Sequence, residues 1–203
     1  MECFSTLETK AIGLPHANID TDQLIPARFL EHPRSAGYGR FLLHDLRRDA
    51  NGALRGHPLD DPSCTGAALI IARRNFGCGS SREGAVYALA DFGIRCIAAP
   101  SFGDIFASNA VKNGLLPALI SEADAEALLA SHLLRGEGRA SIDLVNQTIV
   151  AGNLVVPFAV DPVWKTQLLS GFDDVDLTLA EQARIDRFRA DDASIRPWAT
   201  PQA

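Results

Sequence analysis

Three short apolar runs alternate with segments of helical periodicity in the middle of the chain, and this pattern limits the fold more than any other feature. They span residues 67–72, 94–99 and 115–120; the first is a continuous apolar run, and Arg95 is the single charged residue in the second. A continuous apolar run of this length predicts a strand that is covered on both faces. Because strands that alternate with helices build α/β proteins, we expect a parallel or mixed sheet with flanking helices.

The parts of the chain before and after these alternating segments show other sequence patterns. Residues 1–10 predict an initial strand, and residues 141–160 predict a hairpin followed by a third strand. Residues 26–65 are dense in glycine and proline, which predicts a long loop region. At 203 residues, the chain is expected to form one domain over residues 1–190, followed by a flexible tail over 191–203.

The last helix of this expected domain has a start signal in the sequence. Thr178 and Glu181 have the spacing of a capping box, which predicts that a helix begins there. The helical periodicity that follows predicts that Ile185 and Phe188 face inward.

Composition and charge exclude several classes of protein. The 19 basic and 25 acidic residues give a net charge of −6, which argues against a nucleic-acid-binding surface, since such surfaces are basic. No apolar run approaches the roughly 20 residues of a membrane helix. The N-terminus lacks the apolar segment of a secretory signal. We therefore expect a soluble, cytoplasmic protein without a nucleic-acid or membrane partner.

The cysteines are too widely spaced to indicate a metal site. They are Cys3, Cys64, Cys78 and Cys96, so the chain has no C-x-x-C pair, and its histidines form no H-x-x-x-H pair. This spacing predicts no metal site and no complete iron–sulfur site formed by this chain alone. We interpret the cysteines as free or buried thiols in a reducing compartment.

The strongest chemical signal lies in residues 73–84, which follow the first apolar run and lead into a helix expected from about Ser81. In an open α/β sheet, ligands bind at the carboxyl ends of the strands. Gly77 and Gly79 allow a close backbone approach, and the first N–H groups of the helix favour an anion. Arg82 adds a two-pronged donor for a carboxylate or phosphate. The segment therefore predicts an anion site.

Three familiar motifs do not fit this segment. The dinucleotide motif G-x-G-x-x-G would need glycine at position 82, and a P-loop would need Gly-Lys before the hydroxyl residue. A nucleophile elbow would need glycine at position 83, where Glu83 stands. A purely structural alternative remains, in which Ser80 and Glu83 form a capping box.

Four motifs resemble the small-subunit family of 3-isopropylmalate dehydratases, which belongs to the aconitase superfamily. They are NIDTDQLIP at 18–26, NFGCGSSRE at 75–83, FGIRCIAAPSFGDIF at 92–106 and NGLLP at 113–117. They occur in the order typical of the family, and the resemblance covers about residues 1–190. It implies a swivelling β/β/α domain, equivalent to the mobile last domain of aconitase.

The resemblance also implies an activity and a partner. Members of this family pair with a large subunit that holds a [4Fe–4S] cluster, so this chain is expected to hold no cofactor itself. The pair is a hydro-lyase that interconverts 2-isopropylmalate and 3-isopropylmalate through 2-isopropylmaleate, in leucine biosynthesis. The expected substrate is therefore a small dicarboxylic acid, and the chain is expected to be active only with its large subunit.

The same resemblance implies roles for single residues. Ser80 matches the catalytic base, which reacts as an alkoxide. Ser81 matches a position that assists this oxyanion or contacts substrate, and Arg82 matches the clamp for a substrate carboxylate. The other expected site residues are Gly79, Arg28 and Arg34 for substrate binding, and Asp20, Asp22, Cys78 and Glu83 as supports of the site loop. The alternatives are turn carboxylates for the two aspartates, and solvated surface positions for Arg28 and Arg34.

The chain departs from the family pattern directly after Glu83. The family usually has His, Pro and Trp where this chain has Gly84, Val86 and Tyr87. This departure leaves two alternatives open. Beside the isopropylmalate reading, the chain could be the small subunit of a related hydro-lyase for another diacid, of the citramalate or dimethylmaleate type, or a non-catalytic, anion-binding paralogue.

Overall fold

The computed structural model describes residues 2–131 and 138–199. Contacts within the chain divide it into two units, Met1–Gly171 and Phe172–Ala203. The boundary expected at residue 190 falls inside the last helix, and residues 200–203 of the expected tail lie outside the described residues. Among the described residues, no helix is long and apolar enough to cross a membrane.

The first unit contains two sheets of four strands each. In chain order the strands are β1 (Thr6–Thr9), β2 (Ala11–Leu14), β3 (Leu69–Ala72), β4 (Cys96–Ala99), β5 (Leu116–Leu119), β6 (Ala140–Asp143), β7 (Thr148–Ala151) and β8 (Leu154–Pro157). Strands β2-β3-β4-β5 form a parallel sheet, and strands β1-β6-β7-β8 form an antiparallel sheet. The predicted hairpin and third strand are confirmed, whereas the expected initial strand is two strands, one in each sheet.

The helices follow the predicted alternation. In the first unit they are α1 (Thr21–Leu24), α2 (His44–Arg47), α3 (Glu83–Phe92), α4 (Asp104–Lys112), α5 (Glu122–Ala130) and α6 (Pro162–Ser170), and in the second unit α7 (Asp174–Ala180) and α8 (Gln182–Ile195). Each of β3, β4 and β5 is followed by one helix, which confirms the α/β class.

The parallel sheet is buried on both faces, which explains the continuous apolar runs. Ile12, Ile70 and Ile97 lie side by side in β2, β3 and β4, in a core cluster that they share with residues of α1 and α3. On the opposite face, Ile71 shares a second cluster with antiparallel-sheet residues such as Ile142. The antiparallel sheet, together with α5, therefore covers one face of the parallel sheet, and α3 covers the other.

The expected loop region, residues 26–65, is built of short 3-10 turns around α2. A buried ion pair fastens it: the Arg47 Nε donates to Asp60 at 3.1 Å, and the Arg47 Nη1 donates to the Leu42 carbonyl oxygen at 2.9 Å. The hydrogen bond from Arg47 holds the pKa of Asp60 below its ordinary value. The loop region is thus tied together by a buried charge pair as well as by apolar contacts.

The second unit begins earlier than its sequence signal indicated. Asp173 caps α7, and the Asp176 side chain completes the capping box. Thr178 lies inside α7 and caps no helix, whereas α8 begins at Gln182 with Glu181 as its N-cap and no capping side chain, so the start predicted at Thr178 is wrong. Phe188 is 64% exposed, so the prediction that it faces inward is wrong as well.

Candidate functional site

Three loops meet at the carboxyl edge of the parallel sheet, and the middle loop carries the predicted site. The Gly77 amide donates to the Ile19 carbonyl oxygen at 2.7 Å, in the loop after β2. On the other side, the Phe76 amide donates to the Ser101 carbonyl oxygen at 3.0 Å, in the loop after β4. The loop after β3 is therefore held by its backbone between two neighbours.

Two glycines make this close approach of backbones feasible. Gly77 has φ 71°, and a Cβ atom there would lie 2.1 Å from the Phe106 ring. Gly79 has φ 96°, and a Cβ atom there would lie 3.3 Å from the Thr21 hydroxyl oxygen. Both values of φ lie in the left-handed region that favours glycine, so the two positions fix the path of the loop toward Ser80.

Ser80 lies at the exposed end of this loop, against the buried side chain of Thr21. The Ser80 amide donates to Thr21 Oγ1 at 3.1 Å. Thr21 Oγ1 also lies 3.1 Å from the Ser80 carbonyl oxygen and 3.4 Å from Ser80 Oγ. Sequence reasoning missed Thr21, although it stands inside the motif at 18–26 between two aspartates.

The helix after the loop begins later than predicted. α3 starts at Glu83, its N-cap is Arg82, and no side chain caps it. The capping box proposed between Ser80 and Glu83 is therefore wrong, and the Glu83 carboxylate instead accepts a hydrogen bond from Asn113 Nδ2 at 3.1 Å. Ser80 and Ser81 are both exposed, so neither hydroxyl is consumed by the helix.

The two aspartates of the first motif have different tasks. Asp20 caps α1: its carboxylate accepts from the Gln23 amide at 2.7 Å, as a turn carboxylate would. Asp22 forms an ion pair with Arg82. The Asp22 side chain is 58% exposed and that of Arg82 is 29% exposed, so the guanidinium lies at the surface beside a carboxylate partner.

Cys78 is joined through its backbone to the segment that carries Asp20 and Thr21. It forms an isolated parallel bridge with Asp20, and its carbonyl oxygen accepts from the Thr21 amide at 2.9 Å. Burial, and then the negative charge of Asp20, raise the pKa of the Cys78 thiol. The thiol is therefore neutral near pH 7, which does not suit a nucleophile.

The two other arginines of the prediction have partners of their own. Arg28 lies 4.5 Å above the Phe29 ring and donates from Nη1 to Asp45 at 2.9 Å, and this hydrogen bond lowers the pKa of Asp45 to about 2. Arg34 lies 3.9 Å above the Tyr87 ring, on the second turn of α3. Within the described part of the chain, no hydrogen bond or ion pair joins either arginine to Ser80 or Arg82.

Gly84 packs against the loop region. A Cβ atom at Gly84 would lie 2.7 Å from Leu30 Cδ2 and 3.6 Å from the Tyr38 ring. The Leu30 side chain thus occupies the space into which a side chain at position 84 would project. A histidine at this position would need a different conformation of Leu30.

No metal site is formed by the residues that the structure describes. They contain no group of three or more His, Cys, Asp or Glu side chains arranged to hold an ion. The four cysteines are all free, Cys64 and Cys96 within the core and Cys3 and Cys78 nearer the surface.

Comparison with known proteins agrees with the motifs. Residues 1–123 match the profile of the aconitase C-terminal domain. The 3-isopropylmalate dehydratase small subunit of Gluconacetobacter diazotrophicus is 41% identical over 202 residues, 98% of each chain, and that of Phenylobacterium zucineum is 42% identical over 200 residues, again 98% of each. A crystal structure of 3-isopropylmalate dehydratase from Methanocaldococcus jannaschii superposes with a TM-score of 0.64 at 24% identity. It covers 91% of this chain and 99% of that one, which supports the fold. This chain therefore belongs to the small-subunit family of 3-isopropylmalate dehydratases.

Proposed function

We propose that the chain is the small subunit of a 3-isopropylmalate dehydratase, a hydro-lyase that interconverts 2-isopropylmalate and 3-isopropylmalate in leucine biosynthesis. Relatives of that name are 41–42% identical over 98% of both chains, and this is the observation that carries the proposal. The exposed Ser80 and Ser81 and the half-buried Arg82 at the carboxyl edge of the parallel sheet agree with it, because this edge is where α/β proteins bind ligands. We also propose a cytoplasmic location.

Ser80 is the proposed base. The reaction removes a proton from a carbon beside a carboxylate and expels the hydroxyl group of the neighbouring carbon. Ser80 Oγ, as an alkoxide, takes the carbon-bound proton, the C–H electron pair forms the double bond, and the C–O bond breaks so that its electron pair leaves with the hydroxide. An alkoxide needs donors and positive charge nearby. Thr21 Oγ1, at 3.4 Å, is one donor within reach.

Arg82 is the proposed clamp for a substrate carboxylate. A guanidinium offers five N–H donors, and the ion pair with Asp22 engages its Nη1. Asp22 thereby fixes the direction of the side chain while other donors stay available for a bidentate carboxylate. Ser81, exposed beside it, is proposed to contact the substrate or the oxyanion, and Gly79 to leave room for the substrate.

The iron–sulfur cluster and the rest of the site are proposed to belong to a large subunit. The cysteines of this chain do not assemble a cluster site in the described residues, whereas Ser80 is exposed and Arg82 is half-buried beside it. When bound, an iron with an open coordination position supplies Lewis acidity to the departing hydroxyl. This chain would then contribute the base and the clamp, and would be inactive without its partner.

A related diacid is the second candidate substrate, and one contact favours it. Leu30 fills the space beside Gly84, where the family usually has histidine. This change alters the neighbourhood of the first turn of α3 but leaves Ser80 and Arg82 in place. A hydro-lyase subunit for citramalate or a dimethylmaleate-type diacid would keep the same base and clamp.

Replacement of the proposed base tests the proposal. In the complex reconstituted with its cluster-loaded large subunit, we expect Ser80→Ala to lower kcat for isopropylmalate by roughly 10²–10⁴-fold, the usual contribution of a general base. Ser194→Ala, an exposed serine of α8, is the matched control and should keep full turnover. Binding of the large subunit should persist in both variants. Unchanged turnover of Ser80→Ala would remove Ser80 from the mechanism.

A further inference from the structure

We propose that Thr21 is a positioning residue for Ser80, and that its hydroxyl donates a hydrogen bond to Ser80 Oγ when this oxygen carries negative charge. The inference rests on the proposed function, because it concerns the serine that acts there as the base. The resemblance of the motif at 18–26 implied no role for Thr21. The contact between the Thr21 and Ser80 hydroxyl groups joins residues that are 59 positions apart in the sequence.

Thr21 has the contacts and the burial of a fixed support. Its side chain is almost fully buried, with 1% of the residue exposed, whereas Ser80 is exposed. The Thr21 amide is fixed by the Cys78 carbonyl oxygen at 2.9 Å. The hydroxyl group therefore approaches Ser80 from the protein side and leaves the outer side free for a substrate.

The hydroxyl hydrogen of Thr21 has a choice between two acceptors. A threonine hydroxyl has one donor hydrogen and two lone pairs. One lone pair accepts the Ser80 amide at 3.1 Å. The donor hydrogen has two acceptors in reach, the Ser80 carbonyl oxygen at 3.1 Å and Ser80 Oγ at 3.4 Å.

The charge of Ser80 decides between these two acceptors. While Ser80 is neutral, its carbonyl oxygen is the nearer acceptor. An alkoxide accepts a hydrogen bond roughly twice as strongly as a neutral oxygen does, so it attracts the proton of Thr21 to itself. The exchange needs only rotation of the hydroxyl group, without movement of the backbone.

Gly79 makes this arrangement sterically feasible. A Cβ atom at Gly79 would lie 3.3 Å from Thr21 Oγ1 and 3.5 Å from Asp20 Cβ, so any side chain there would press on α1. Its φ of 96° also directs the chain so that the amide and the carbonyl oxygen of Ser80 both lie near Thr21.

Two substitutions of Thr21 in the reconstituted complex test the inference. Thr21→Val keeps the shape and removes the hydroxyl group, so we expect kcat to fall by about 10–100-fold while KM changes by less than about threefold. Since the loss of a donor raises the pKa of Ser80, the rising limb of the pH profile of kcat should move to higher pH. Thr21→Ser keeps the donor and should stay within about threefold of the unchanged protein.

A merely structural role is separated by a double variant. In a Ser80→Ala background, Thr21→Val should cause no further loss of the residual rate, because the oxygen that it serves is gone. Circular dichroism and capture of the large subunit show whether each variant folds. Should Thr21→Val fail to fold, Thr21→Cys, which has a similar volume and only a weak S–H donor, takes its place with the same expected loss.

Three results would overturn the inference. They are unchanged kcat in Thr21→Val, equal losses in Thr21→Ser and Thr21→Val, or a full further loss from Thr21→Val in the Ser80→Ala background. The proposed function fails in a different way. Full activity of Ser80→Ala removes the base itself, whereas an inactive Ser80→Ala with an active Thr21→Val removes only the role of Thr21.

Discussion

Ser80 is held in place by neighbours that leave little freedom of sequence. Gly77 has no room for a side chain against Phe106, Gly79 has little room against Thr21, and both have left-handed backbones. These constraints concern the path of the backbone, so they act on the position of Ser80 without any contact to its hydroxyl group. A change at Gly77 should therefore register as lost stability.

We expect Gly77→Ala to lower the free energy of unfolding by about 3 kcal/mol or more. It adds left-handed strain of roughly 1–2 kcal/mol and a clash with the Phe106 ring. Gly152→Ala is the control, because Gly152 has φ 61° but no atom within 4 Å of the place that the added methyl group would take, so only the strain remains. Urea unfolding of both variants measures the difference, and equal losses would contradict the tight packing at Gly77.

At the scale of residues, the sequence predicted Ser80 and Arg82 as members of the candidate site, but it did not predict Thr21, which contacts Ser80. The glycines and Arg82 after an apolar run indicate an anion site, and motif resemblance adds Ser80. The support by Thr21 depends on a contact across 59 positions, which no local pattern reveals. The partners of Arg28 and Arg34 also lie 17 and 57 positions away, at Asp45 and Asp91.

At the scale of elements, burial on both faces made β3, β4 and β5 predictable, because each reads as a continuous apolar run. Two features were not predictable. β1 and β2 are separated only by Lys10 yet pair with different sheets, which local periodicity cannot show. α3 starts two residues late because Thr21 Oγ1 engages the amide and the carbonyl oxygen of Ser80, so that Ser80 does not begin a helical turn.

The contribution of the buried ion pair to the stability of the loop region can be tested by substitution. We expect Asp60→Asn to cost about 3 kcal/mol of unfolding free energy at neutral pH, since it leaves the Arg47 charge buried without its partner. Glu122→Gln is the control: it breaks the exposed pair with Arg74, and the expected cost is below about 1 kcal/mol.

The cost of Asp60→Asn in unfolding free energy should become smaller as the pH falls. Arg47 holds the folded-state pKa of Asp60 below its ordinary value of 3.8. The pair therefore stabilises the fold fully above that value, and its contribution is lost as the pH falls through the lower, folded-state pKa. Urea unfolding at pH 7 and at about pH 3 or below measures this, and a cost that grows on acidification would contradict the role of the pair.

At the scale of the whole molecule, the fold places the proposed base and the proposed carboxylate clamp at the carboxyl edge of the parallel sheet, and the proposal assigns the rest of the site to a partner. The net charge of −6 and the apolar core are those of an ordinary α/β domain and do not identify a substrate. Family membership comes from the motifs and the comparisons, and the substrate is the part that neither the fold nor the charge determines. The effect of glycine at position 84, where the family usually has histidine, on the choice of substrate therefore has to be measured as enzyme activity.

Reconstitution tests the central claim most directly. The chain alone, the cluster-loaded large subunit alone and their anaerobic mixture would each be given isopropylmalate or citramalate, and the unsaturated acid followed by ultraviolet absorbance. We expect turnover only in the mixture and a preference for isopropylmalate, which would show that Gly84 is tolerated. Preferred turnover of citramalate, or none of either substrate with a large subunit proven active, would contradict the proposed function.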